Sequence, residues 1–265
     1  MLFRSANGTL VMNGGAITTS GAQSYGDAVT LGANTSLTGG AIQFVSTVDS
    51  AADGTRSLTI TDSGATRLDG AVGNSKKLSS LMVTTANLTF DRIQTTGNVT
   101  IVNSGTQQLG DLDVGGNLNV TTGSAVAGSV GGISQRLNSV LTVAGNSIFT
   151  ANKVVAQDAL LNQPGNNFVG TVAFNDTNGG SWRAINVADS VGSLHLANVT
   201  ATGQVTVSAV GNITQTGTLR LGGNTTITST TGNVTLTDAN NDFGGPLNLS
   251  GANVSVVDEI GRAHV

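Results

Sequence analysis

The sequence predicts an all-β protein, a right-handed parallel β-helix of about eleven or twelve coils. Three observations predict it. One phrase recurs, apolar residues alternate over short runs, and the composition is that of a turn-rich β protein. The phrase is clearest at Leu219-Arg220-Leu221-Gly222-Gly223-Asn224-Thr225-Thr226-Ile227. Leu219 and Leu221 face one side of a strand. Gly and Asn tolerate the backbone of a tight bend, and Thr225 restarts a strand that ends on an inward Ile227. Copies stand at 29–37, 112–120 and 141–149, and a looser one at 247–256. Such recurrence marks a solenoid, in which neighbouring coils complete each other's core.

Among the 265 residues are 37 Gly, only 2 Pro and no Cys, with 10% charged and 3% aromatic residues. Collagen would need far more Pro, and disorder more charge. The absence of Cys excludes disulfide frameworks and thiolate zinc sites. The net charge of −4 argues against nucleic acid as a partner. No apolar run reaches the ~18 residues of a membrane-spanning helix.

Taken in order, Leu10 and Met12 alternate, Gly14-Gly15 turns, and Ile17 restarts. Tyr25 lies in a polar bend, and Ile42 and Phe44 close that coil. Residues 46–56 and 70–80 carry polar loops on either side of Leu58-Thr59-Ile60. Leu81, Val83, Leu88, Phe90, Val99 and Ile101 resume the alternation. Later pairs keep it: Leu194/Leu196, Val205/Val207, Val234/Leu236 and Val254/Val256. Short alternating runs between Gly and Asn turns are strands. Gln157-Asp158-Ala159-Leu160-Leu161 comes nearest to a helical period and is too short to stand alone.

Longer matches add a second period. Ile133-Ser134-Gln135 resembles Ile213-Thr214-Gln215, and Asn166-Asn167-Phe168 resembles Asn241-Asp242-Phe243. A super-repeat of roughly 75–80 residues follows, with units near 129–208 and 209–259. Stacked turns are expected to set Asn over Asn, their side-chain amides bonding one another up the stack and satisfying the turn backbone. The domain reading is one β-helix over 6–259. Residues 1–5 and 260–265 are expected to be sequencing-adapter scars, because they translate the two ends of a common short-read adapter.

The charged residues offer little chemistry. Asp111 and Asp113 share one outward strand face, and β-helix hydrolases and lyases place paired acids there. Without a basic neighbour in sequence, the pair reads as solvated. Asp238-Ala239-Asn240-Asn241-Asp242 opens like a calcium loop, but Phe243 and Leu249 stand where Gly and Glu are required. It reads as a turn. His195, between Leu194 and Leu196, points outward and alone. Trp182 reads as a cap over a coil, with an exposed sugar contact as the other reading. Lys76-Lys77 reads as a solvated loop. No catalytic, cofactor-binding or metal-ligating residue is assigned, and no cofactor is expected.

The runs Ile17-Thr18-Thr19-Ser20-Gly21-Ala22-Gln23-Ser24-Tyr25-Gly26-Asp27-Ala28-Val29-Thr30-Leu31 and Asp49-Ser50-Ala51-Ala52-Asp53-Gly54-Thr55-Arg56-Ser57-Leu58-Thr59-Ile60 resemble repeats of filamentous-haemagglutinin-type bacterial exoproteins. The resemblance implies export through an outer-membrane pore, a place in the medium or at the bacterial cell surface, and a role as adhesin or stalk. Host-cell or surface glycans or proteins are the implied partners. The expected function is a structural adhesin segment without catalysis. The alternatives are a polysaccharide-processing enzyme using Asp111 and Asp113, and a stalk binding calcium or glycans through the loops at 46–56 and 70–80.

Overall fold

In the computed structural model, residues 1–3, 8–123, 132–152, 156–177 and 181–259 are described. They contain 33 strands and no helix, so nothing among them could cross a membrane as a helix. The strands pair in parallel from coil to coil, three to a coil, in a β-solenoid of about eleven turns. The alternation dictates this. Each short strand has one apolar face too small to bury alone, and parallel neighbours above and below complete it.

Three faces run along the stack. The first is built by Ala22–Tyr25, Ala41–Phe44, Ala65–Leu68 and Asn87–Phe90, and continues from Gln107–Leu109 through Gly132–Gln135 and Ala156–Leu161. The second holds Arg92–Thr95, Asp111–Val114 and Leu141–Val143 in register. The third runs from Ala16–Thr18 to Thr171–Asp176. The step between coils is elastic. Val83 lies beside Ile101, 18 residues on, and Val120 beside Phe149, 29 residues on. The register of inward side chains survives these unequal steps.

The interior is a column of Leu, Ile and Val in which like sits on like, as in Leu112 beside Leu141. Aromatic residues stack along the same axis. Tyr25 lies on Phe44 with ring centres 4.6 Å apart, and Phe149 on Phe174 at 5.2 Å. The outward positions of the third face form a rank without charge: Thr18, Thr38, Thr61, Thr84, Val102, Thr121, Thr150 and Asn175.

The Asn turns stack, and of the two bonds expected it is the one to the turn backbone that recurs. Asn98 Oδ1 accepts the backbone N–H of Asn117, and Asn117 Oδ1 accepts that of Asn146, both at 2.8 Å. The side chain thus satisfies a turn amide of the next coil, a donor that strand pairing leaves free. Among the described residues, an Asn-to-Asn side-chain rung occurs only at the end of the stack, where Asn253 Nδ2 donates to Asn233 Oδ1 at 2.9 Å.

The recurring phrase does not keep to one corner. Its copies at 29–37, 112–120 and 141–149 turn from the second face to the third. Beyond Asn167–Phe168 the cross-section rearranges. The strand Leu194–Ala201 pairs with Thr171–Asp176 on one side, and on the other divides between Ile213–Gln215 and Leu219–Leu221. The copy at 219–227 therefore turns into the first face, where Thr225–Ser229 pairs with Val205–Ala209. Every corner needs the same bend and every strand the same alternation, so one phrase fits any of them.

Trp182 overturns both readings of it. The indole is fully buried, set edge-on to Phe174 at 6.0 Å, and its Nε1 donates to the Asn175 carbonyl at 2.8 Å. It fills the core where the faces rearrange, with its one polar atom satisfied as burial requires. The residues expected to be adapter-derived lie outside the described residues at 4–5 and 260–265, while Leu2–Phe3 pairs with Ser24–Tyr25. The start of the first super-repeat unit, at 129–131, also lies outside them.

Candidate functional site

Charge gathers at the corner between the first and second faces. Arg67, Asp69, Asp91, Arg92, Asp111 and Arg136 lie there, with Lys77 and Asp113 on the second face beside it, together eight of the 26 charged side chains in the sequence. This concentration makes the corner the candidate site.

Its depth comes from a break in the backbone ladder. Asn87–Phe90 is the last strand of its sheet, and the strand Gln107–Leu109 beside it belongs to another. Gln107 fills the break from the inside. Its side chain is fully buried, with Nε2 donating to the Leu88 carbonyl at 3.3 Å and Oε1 accepting from Asn103 Nδ2 at 2.9 Å. A side-chain amide thus takes a carbonyl that a neighbouring strand would normally hold. A hollow of about 310 Å³ lies over the break, and one of about 450 Å³ adjoins it over the paired strands Ala65–Leu68 and Asn87–Phe90; the two share Asn87, Thr89, Phe90 and Arg136.

Arg136 crosses the hollow. It leaves the end of Gly132–Gln135, passes the coil that carries Gly110, and reaches Asp91, where Nη1 meets Oδ1 at 2.6 Å and Nη2 donates to the carbonyl at 3.2 Å. Gly110 packs tightly there, since a Cβ at this residue would stand 2.3 Å from the Asp91 carbonyl. On the other wall Arg67 donates through Nη2 to Asp69 Oδ1 at 3.0 Å, and Asp69 Oδ2 accepts from Gln43 at 2.6 Å. The groove therefore carries two cations and two anions, already paired.

Asp111 and Asp113, read as a solvated pair and as the acids of the alternative enzyme, stand along the second face and point outward as the alternation requires. Asp111 Oδ1 accepts the Val140 N–H at 2.9 Å, holding the next coil's turn. Asp113 Oδ2 meets Lys77 Nζ at 2.6 Å and Gln94 Nε2 at 3.3 Å. The basic partner that sequence proximity did not supply comes from 36 residues upstream, so Lys77 belongs to an ion pair and not to a wholly solvated loop. The loop is fixed by its neighbour: Asp49 Oδ1 accepts the amides of Ser75 and Lys76, and Asp53 Oδ1 that of Lys77. The two loops proposed as ligand sites thus clamp one another through the carboxylates a cation would use.

The remaining singled-out residues lie apart. His195 faces outward with Nδ1 2.7 Å from Thr214 Oγ1. Asp238 closes a turn by accepting the Asn240 amide at 2.8 Å. No cluster of three His, Asp or Glu forms among the described residues.

Two amide pairs, one buried and one half-buried, were visible in sequence only as separate fragments. Gln135 and Asn166 exchange side-chain hydrogen bonds in the interior, and Gln215 and Asn241 do the same at 2.8 and 2.9 Å. The matches Ile133-Ser134-Gln135 with Ile213-Thr214-Gln215, and Asn166-Asn167-Phe168 with Asn241-Asp242-Phe243, are the two halves of this one device.

No curated protein and no solved structure matches the sequence. Residues 96–175 and 183–250 match a family described as repeats of unknown function (DUF5649). Each match holds one Gln–Asn pair and is close in length to the super-repeat expected from sequence, although its boundaries fall elsewhere than 129–208 and 209–259. Since the two matches together span more than half of its length, the chain belongs to this family of repeats.

Proposed function

We propose that the chain is a structural segment of a large secreted or surface-displayed bacterial adhesin, a stiff rod that carries no catalysis. The observation that carries this reading is the continuous stack. Coils pair with their neighbours along a shared apolar interior, and inward-facing amide pairs tie one coil to the next. A solenoid of this kind gains length without acquiring a hinge, which suits a stalk that presents contacts at a distance. The resemblance of 17–31 and 49–60 to exoprotein repeats supports export through an outer-membrane pore and display at the cell surface. The charged corner is its contact surface for host-cell or surface glycans or proteins.

Asp111 holds a turn amide and Asp113 an ammonium group, and this structural use of both acids supports the reading without catalysis. Beads coated with the purified chain are expected to adhere to cell or glycan surfaces above an uncoated control, and the chain is expected to release no reducing ends from a panel of polysaccharides. Cleavage by the wild type that disappears in the double variant Asp111→Ala/Asp113→Ala would overturn the structural reading.

A further inference from the structure

We infer that the groove over the ladder break binds an uncharged oligosaccharide. The inference rests on the adhesin reading above and gives it a location and a ligand class.

The argument starts from the pairing of charge. Each guanidinium carries five N–H donors. Arg67 uses Nε and Nη2 on Asp69, and Arg136 uses Nη1 and Nη2 on Asp91. Donors remain on both, yet neither cation lacks a counter-charge. An anionic ligand would have to displace a carboxylate from its arginine and leave that carboxylate against it. A cationic ligand meets the mirror-image obstacle. A chain of hydroxyl groups needs neither displacement, since hydroxyls both donate and accept. Thr89 and Asn87 stand exposed on the outward side of the same strand and add further polar partners, while Phe90 contributes an apolar patch to the lining.

Size and shape agree. The hollows lie within the ~300–1,000 Å³ common for small-molecule sites. They adjoin along the stack from the Ala65–Leu68 coil to that of Gln108, so the groove follows the rod axis and suits an extended ligand. The groove is also held open. Gln107 fills the break from the inside and Arg136 braces it from the outside, so little ordering is needed on binding.

The test is titration of the whole chain, followed by the amide resonances of Asn87, Thr89 and Arg136. The probes are cellotetraose, maltotetraose and mannotetraose, against a heparin tetrasaccharide and tetragalacturonate. At least one neutral probe is expected to shift those resonances saturably, and to bind at least tenfold more tightly than either anionic probe. Arg136→Ala is expected to weaken that binding at least tenfold. Thr89→Trp, which fills the groove from a solvent-facing position, is expected to abolish it and serves should Arg136→Ala fail to fold. Absence of groove shifts with all three neutral probes overturns the inference, as does tighter binding of an anionic probe or unaltered binding by Thr89→Trp. Failure of the groove is distinct from failure of the adhesin: bead adhesion that persists in Thr89→Trp rejects the groove alone, whereas no adhesion by the wild type rejects the adhesin reading.

Discussion

Gln135 and Asn166, 31 residues apart in sequence, exchange two side-chain hydrogen bonds in the interior of the stack: Gln135 Nε2 donates to Asn166 Oδ1 at 2.7 Å, and Asn166 Nδ2 donates to Gln135 Oε1 at 2.9 Å. The remaining valences are also used. Gln135 Nε2 reaches the Ser139 carbonyl, Asn166 Oδ1 accepts the Leu141 N–H, and Asn166 Nδ2 reaches the Leu161 carbonyl. Asn166 is fully buried and Gln135 nearly so. A buried polar group is tolerated when its partners are complete, and this pair also fixes which coil lies beside which.

Removing one amide strands the other, so the losses from the two sides are expected to overlap. Gln135→Leu or Asn166→Leu should each lower stability by about 1–3 kcal/mol, because the surviving amide stays buried without its partner. The double variant should lose less than the sum of the two. Chemical denaturation of the four proteins measures the coupling. Equal and additive losses would mean that the amides act independently.

A single methyl group at the Gly-Asn turn is expected to disturb the stack. A Cβ on Gly116 would lie 2.7 Å from the carbonyl carbon of Gly97 and 2.9 Å from the amide of Asn98, both backbone atoms of the neighbouring coil. Neither can move without shifting its own strand. Gly116→Ala should lower stability by about 1–3 kcal/mol, as overpacking commonly does, and a thermal melt reads it. An unchanged melting temperature would show that the coils are less closely stacked.

Tyr25 gives a pH signature. It is the sole tyrosine in the sequence, lies fully buried on Phe44, and donates to Gln23 Oε1 at 2.6 Å. Burial penalises the phenolate and pushes its pKa up from 10.0 to about 12. The folded protein thus keeps a proton that the unfolded chain releases in that range. Stability should be complete below pH 10 and fall as the pH rises from 10 toward about 12. Phenolate absorbance measured on the folded protein should titrate near the upper value. A midpoint at the ordinary tyrosine value, with the fold intact, contradicts the burial.

The fold was largely legible because it rests on local rules. Alternation marked the strands, and Gly-Asn bends marked the corners. Copies such as 112–120 and 141–149 do lie beside one another, Leu112 with Leu141 and Val120 with Phe149. What could not be read was long-range. The change of corner by the phrase at 219–227 leaves no trace in sequence, because all corners use the same bend. Nothing local joins Lys77 to Asp113 or Gln135 to Asn166, since those partners meet only once the number of residues in each coil is fixed. The groove was hidden for a related reason. Gln107 alternates like any inward residue, and only its neighbour across the ladder shows that its amide has replaced a backbone bond. Trp182 misled because glycines and a polar residue precede it, the composition of an exposed loop, while its own strand Ser181–Asp189 turns it into the core.

Distances along the outward rank of the third face test the stack most directly, and the cysteine-free chain admits paired spin labels without background. From a label at Thr18, the partners Thr121, Thr150 and Asn175 lie five, six and seven rungs away. At ~4.8 Å per rung the separations should be about 24, 29 and 34 Å, rising by one equal step per coil although the intervening sequence lengthens unevenly. Narrow distributions with those increments are the predicted result. Separations that follow sequence distance, or that fail to rise in equal steps, would contradict a stack of parallel coils.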